Sequence, residues 1–338
     1  MKILVLAKSW GGVEYHRLYN PLKRMQLDNT EIEIFTCESL PDNIEYDMVV
    51  FNRYLFQDHY PIMNALKQNG IPYILDLDDY WRLPKFHTAS KYFRDNDVSN
   101  AIKDAITYAA GVTVTTERLA NEVRRMNHNV SILPNTIEWT DDQWAVKKET
   151  RVKDKVRFGY VGGRTHENDL QLIHEPMKYI LDKYPNVEFH LCGYSREDSI
   201  WRRIARQCHD RVILHEGMPV SDYGKLYSLF DVKIVPLEDN KFNNMKSELK
   251  VLEAAEYKLP VIASNVSPYK DMEGNNGIML VAPHEWRAAL ESFVLSDKSM
   301  MGEHNYHYCR TNYSIEKVNE KRLQFYQRIC KSATSDRG

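Results

Sequence analysis

With 338 residues, 43% hydrophobic and 27% charged, the chain is long enough for one large or two medium α/β domains, each with its own core. A formal net charge of −2 supplies no global field to gather nucleic acid or an anionic membrane. No run approaches the roughly 20 consecutive apolar residues of a membrane span, and the opening MKILVLAKSW turns polar too soon for a secretory signal, so a soluble, cytoplasmic protein is expected.

The elements follow in chain order. Lys2-Ile3-Leu4-Val5-Leu6-Ala7 is a short apolar run that meets Trp10-Gly11-Gly12 and then a helical pattern carrying Leu18, Leu22 and Met25. Further strands are predicted at 31–35, 47–51, 72–77 and 111–115, with helices at 60–68, 101–108 and from Glu117 to about Met126. Strands alternating with helices imply a parallel sheet covered on both faces. The pattern lapses after Val130-Ser131-Ile132-Leu133-Pro134-Asn135, and a tryptophan- and charge-rich stretch, 141–155, reads as a linker.

A second series opens at Val156, where a strand leads into Gly162-Gly163-Arg164 and a helix through Leu170, Ile173, Met177, Ile180 and Leu181. Strands are predicted at 188–192, 212–214, 232–236, 260–263 and 277–281, with a helix over 246–257. A Tyr/His-rich stretch reads as irregular, and an amphipathic helix over 314–330 closes the chain. The plan is a Rossmann-like domain over 1–140, a second over 156–310 and a closing segment over 311–338. Such sheets bind ligands at their strand C-termini, so the two domains are expected to share a cleft. The five cysteines, Cys37, Cys192, Cys208, Cys309 and Cys330, are scattered without metal-ligand spacing, which implies a reducing compartment and no structural metal.

The block from Phe242 to Ser264, FNNMKSELKVLEAAEYKLPVIAS, followed by Pro268-Tyr269, resembles the donor-site signature of family-4-like GT-B glycosyltransferases. So do Phe158-Gly159-Tyr160-Val161-Gly162-Gly163 with His166 and Asp169-Leu170, the Leu191-Cys192-Gly193-Tyr194 turn, and Phe230-Asp231-Val232 before Pro236. The resemblance implies the GT-B fold, two doubly wound Rossmann-like domains, and transfer of a sugar from a nucleotide-diphosphate donor with retention of configuration. It implies a UDP- or GDP-sugar as co-substrate, with no other cofactor and no metal, and a closing helix that crosses back to the N-terminal domain. In the family the counterpart of Glu253 holds the ribose. A second family glutamate, eight positions earlier, is here Met245; Glu248 is displaced from that position by three residues.

The physical reading of the same block is an anion site. A helix start offers unpaired N–H groups and the positive end of a dipole. Asn243, Asn244 and Ser247 are capping types, and Lys246 adds an ammonium. Arg164, Lys246 and Asp78 are the candidate catalytic residues, the two cations because charge grows on the leaving diphosphate as the glycosidic bond breaks. Gly11, Gly12, Gly162, Gly163, Gly193, Tyr194, Ser247, Glu248, Leu249 and Glu253 are the candidate donor contacts. Arg17, Asp79 and His87 are assigned to the acceptor. Asp76-Leu77-Asp78-Asp79 ends a predicted strand where many relatives place a histidine, and a carboxylate there can orient a hydroxyl or accept its proton. His166 is read as packing or capping at its helix start.

The acceptor is expected to be a glycan, a lipid-linked or a small molecule. One alternative is a hydroxymethylated base in DNA, met by Arg196, Arg202, Arg203, Arg206 and Arg211 with Arg118, Arg124 and Arg125. Another is a non-catalytic nucleotide-sugar-binding protein.

Overall fold

The computed structural model describes residues 1–7, 11–28, 32–52, 60–145, 154–194 and 199–335. The chain divides into two compact units, one made of Met1–Glu138, Met245–Ser247 and Tyr313–Gly338, the other of Trp139–Asn244 and Glu248–Asn312.

The first unit is built on six parallel strands, β1 (Lys2–Leu6), β2 (Glu33–Cys37), β3 (Met48–Asn52), β4 (Tyr73–Leu77), β5 (Gly111–Val114) and β6 (Val130–Ile132), in the order β2-β1-β3-β4-β5-β6. β3, β4 and β5 are buried along their whole length, as apolar strands sandwiched between helices must be. The strand order reverses between β1 and β3. The register sets Asn52 beside Asp76 and Asp76 beside Thr113, so three polar side chains form a row across the central strands. The closing helix, Ile315–Ser335, belongs to this unit: Phe325, Tyr326 and Ile329 share one core with Ile3, Val5, Leu18 and Leu22. Gly111 leaves room for it, since a Cβ there would stand 2.7 Å from the Phe325 ring. Asn319 Nδ2 donates to Pro21 O at 2.7 Å and anchors the same helix.

The second unit repeats the plan with β7 (Val156–Val161), β8 (Val187–Tyr194), β9 (Val212–Glu216), β10 (Val232–Val235), β11 (Val261–Ser264) and β12 (Ile278–Val281), all parallel, in the order β12-β11-β10-β7-β8-β9. This is the doubly wound order with its switch point between β7 and β10. Ile173, Met177, Ile180 and Leu181 fall on one stripe of the helix Glu167–Lys183 and enter the core with Phe158, Tyr160 and Trp286. Burying each such side chain contributes about 1.5–3 kcal/mol as an upper bound. A buried pair ties β7 to the start of β10, with Arg157 Nε 3.0 Å and Nη2 3.1 Å from the two Asp231 carboxylate oxygens. Within the predicted linker 141–155, residues 146–153 lie outside the described part. Its beginning is packed rather than loose: Gln143 Oε1 accepts from Gly224 N at 2.8 Å, and the Trp144 ring is 6.4 Å from Tyr227.

The structure corrects two element readings. The helix expected over 246–257 is Leu249–Glu256, with Glu248 as its N-terminal cap and a separate 3-10 turn at Asn243–Met245. Asn243 does not cap that helix because its side chain is committed elsewhere, donating to Asp169 Oδ1 at 3.1 Å and to Glu238 O at 3.0 Å. The stretch read as irregular is a helix, Ser299–Asn312. Its contacts are made by small and polar residues, so apolar periodicity does not reveal it. Asn305 is fully buried and donates to Val251 O and Leu259 O, and Gly302 lies against the Lys258 carbonyl.

Candidate functional site

In the second unit β7 ends at Val161 and the chain turns through Gly162-Gly163 into a 3-10 turn, Arg164–His166, and then the helix Glu167–Lys183. A Cβ on Gly162 would stand 2.5 Å from the Tyr160 hydroxyl and 3.0 Å from Lys250 Nζ. Gly193 has φ +104, and a Cβ there would collide with Gly162 O. Both positions therefore need glycine for close backbone approach, and Gly162 N–H donates to Cys192 O at 3.1 Å. Gly163 is exposed, and a Cβ there would meet open space. The Arg164 side chain lies outside the described part. His166 Nδ1 pairs with Asp169 Oδ2 at 2.7 Å, and Asp169 Oδ1 also accepts from Glu238 N at 2.8 Å. Asp169 thereby fastens the loop after β10 to the helix that follows the glycine turn.

Leu249 opens the next helix, half-buried, and Glu248 is buried at its cap. Glu253, on the same helix, is 3% exposed and accepts a hydrogen bond from the Tyr227 hydroxyl. Burial, reinforced by the Glu253 charge, raises the Tyr227 phenol far above its ordinary pKa, so Tyr227 stays a donor. One turn earlier Lys250 donates from Nζ to Val161 O at 3.2 Å, which sets an ammonium directly against the glycine turn. Tyr194 ends β8; its hydroxyl accepts from Arg202 Nε, and the guanidinium lies 5.4 Å from the ring centre. Arg203 pairs with Glu167 at 3.1 Å and Arg211 with the carbonyls of Tyr184 and Val187, so these arginines have local protein partners. Arg196 lies outside the described residues.

In the first unit Gly11 caps a short helical turn, and Gly12 faces open space. The turn widens at once, with Asn20 N–H reaching back five residues to Tyr15 O, and carries Arg17 inward. Arg17 is 1% exposed and grips Asp76 with both prongs, Nε–Oδ2 at 3.0 Å and Nη2–Oδ1 at 2.8 Å. Its remaining nitrogen donates to Leu133 O at 2.7 Å. Thr113 Oγ1 donates to the same Asp76 carboxylate at 2.6 Å. Arg17 is thus seated in the interior among protein partners. Asp78 lies beyond the end of β4; burial raises the nearby Glu14 carboxyl, and the Asp78 charge adds to that. Asp79 Oδ1 is 3.5 Å from Lys246 Nζ, and Asn135 Nδ2 donates to Ser247 Oγ at 2.7 Å. His87 Nδ1 accepts from Ala89 N at 3.1 Å and shapes the turn before the helix Ser90–Asp95. Among the described residues no group of three or more histidine, cysteine, aspartate or glutamate side chains is arranged to hold a metal ion.

Residues 155–295 match the family model of glycosyl transferases group 1. The matched segment falls almost wholly in the second unit. Curated protein sequences give no match. Anabaena HepE, solved with UDP and glucose, is 14% identical over 97% of this chain and 99% of its own, with a TM-score of 0.67. A glycosyltransferase from Rickettsia africae is 14% identical over 98% of each chain, with a TM-score of 0.65. Staphylococcus aureus TarM, solved with fondaparinux, alpha-GlcNAc-glycerol and UDP, is 17% identical over 83% of this chain, with a TM-score of 0.61, and the chain spans 56% of TarM's length. The fold is that of GT-B glycosyltransferases.

Two residues of the matched segment escaped the sequence reading, and a third, Asp169, entered it without a role. Lys250 carries no signal beyond its helical spacing from Glu253. Asp169 is a helix-start acid like many others. Lys233 is the visible one, a lysine inside the apolar run Val232-Lys233-Ile234-Val235. No helix among the described residues is long and apolar enough to cross a membrane.

Proposed function

We propose that the protein transfers a glycosyl group from a nucleoside diphosphate sugar to an acceptor hydroxyl, with retention of configuration and without a metal or further cofactor. The observation that carries this reading is the place of the matched segment: it spans the β7/β10 switch point, where Gly162 and Gly193 bring backbone close and Lys250 stands against the turn. A UDP-sugar is the favoured donor, since HepE and TarM were both solved with UDP. The anomeric C–O bond breaks with its electron pair passing to the diphosphate, the acceptor oxygen bonds to the anomeric carbon, and the hydroxyl proton passes to the departing diphosphate.

Cations at the glycine turn oppose charge that grows only as the bond breaks, so they lower the barrier more than they tighten binding. Lys250 joins Arg164 in that role. Glu253, oriented by Tyr227, is the ribose ligand, and Asp78 the carboxylate that orients the acceptor. The acceptor class proposed is a glycan or a small hydroxyl compound. The test is calorimetric titration with UDP- and GDP-sugars followed by donor turnover in EDTA. Saturable binding of one of them and chelator-resistant turnover are expected; no binding of any nucleotide sugar overturns the reading, and turnover lost to EDTA and restored by manganese overturns its metal-free form.

A further inference from the structure

Lys233 occupies the middle of β10 and is 0% exposed. A lysine stem normally uncoils to carry its ammonium to water. Here the rings of Tyr227, Tyr160 and Phe230 surround Nζ at 4.9, 5.2 and 5.9 Å. Among the described residues it forms no ion pair, and its acceptor is Val161 O at 3.5 Å, the oxygen that Lys250 already holds at 3.2 Å. Two amines thus converge on the carbonyl that precedes Gly162. The titratable and charged groups around Lys233 are Tyr160 from β7, Cys192 from β8, Tyr227 from the turn before β10, and Lys250 and Glu253 from the helix Leu249–Glu256. Burial above all, and then the Lys250 charge, pull Lys233 well below the usual lysine range, while Glu253 and Cys192 act in the opposite sense.

Resting on the donor-site reading, we propose that Lys233 is the proton-uptake group of the donor site, an uncharged amine in the free protein that becomes an ammonium when a nucleoside diphosphate occupies the turn at Gly162. The phosphates neutralise Lys250, removing the repulsion that keeps Lys233 unprotonated, and place negative charge beside a low-dielectric interior where it acts strongly. The proton comes from solvent. Donor affinity is thereby linked to pH through a residue that the donor does not touch.

The experiment is calorimetry of UDP binding at pH 8, where the nucleotide is fully ionised, in two buffers of different ionisation enthalpy. Wild type is expected to take up a substantial part of ~1 proton per UDP bound, and Lys233→Met to bind UDP with none. Wild type binding UDP without uptake, or Lys233→Met keeping it, overturns the proposal while leaving the donor site intact; failure of wild type to bind UDP overturns both. Urea unfolding without nucleotide gives an independent reading. An unfolded lysine holds a proton that the folded amine lacks, so wild-type stability should rise from pH 7 to 9 relative to Lys233→Met, and parallel curves would overturn the uncharged state.

Discussion

A single side chain can mean opposite things in the two units, and partners decide which. Asp76 and Arg17 are respectively at the end of a strand and on the helix after a glycine turn, where ligand groups are often found. Yet they pair with each other through two hydrogen bonds, Thr113 and Asn52 also donate to the carboxylate, and Arg17 reaches Leu133 O as well. Breaking a buried pair strands a charge, so Asp76→Asn should lower unfolding free energy by about 3–5 kcal/mol in urea titration. Replacing both, Arg17→Met with Asp76→Leu, should recover part of that loss. Glu253 is a buried carboxylate that accepts a hydrogen bond from a neutral phenol. Glu253→Gln should weaken nucleotide-sugar binding by roughly 1.5–3 kcal/mol, the loss of a charge-assisted hydrogen bond, measured by calorimetry in a protein with unchanged far-UV spectrum. Lys250→Ala should reduce kcat more than donor affinity, because the charge it meets develops during the reaction. An equal loss in both would make Lys250 a binding residue only.

Elements were legible where burial is one-sided and periodic. The helix Tyr60–Gln68 and the strand β7 stand where apolar spacing puts them, because each turns a regular face to a core. The helix Ser299–Asn312 was not legible, since polar and glycine contacts hold it. Asn305 satisfies two buried carbonyls and also accepts from Asn275 Nδ2 at 3.0 Å. Asn305→Leu should therefore cost on the order of 2 kcal/mol, since orphaned buried carbonyls bear a desolvation penalty of about 1–3 kcal/mol. Chemical denaturation measures it, and a neutral result would mean that the helix is held by other contacts. The start of the helix Leu249–Glu256 was misplaced for a related reason. Asn243 is a capping residue by type, but Asp169, 74 positions away, claims its side chain.

At the scale of the whole molecule, the first unit is discontinuous in sequence. Its core needs Phe325, Tyr326 and Ile329 from the far end of the chain. Deleting residues 313–338 should leave the first unit open to limited proteolysis while a fragment beginning near Trp139 resists, which mass spectrometry of the digest would show. A uniformly resistant truncation would contradict that. Acid should weaken the fold through His190, which is 6% exposed and 2.9 Å from His215 Nε2. Burial, and then the His215 charge, push its pKa down from 6.5 to about 4. Between those values the unfolded chain binds a proton that the folded chain refuses, so stability falls as pH drops from 6.5 towards 4. His190→Gln should flatten that limb in urea midpoints collected from pH 7 to 4.

By itself the sequence determined what is local: the strand-turn-helix plan used twice, the glycines at 162 and 193, and the block around Glu253 that carries the family resemblance. These are legible because period, turn chemistry and short motifs are properties of adjacent residues. Only the tertiary structure decided which charges are spent internally and which stand at the turn. Arg17 meets a partner 59 positions away, Lys250 a carbonyl 89 positions away, and Lys233 one 72 positions away. Whether a charged side chain is neutralised, solvated or stranded depends on dielectric and distance in space, and neither is written in the spacing of residues along a chain.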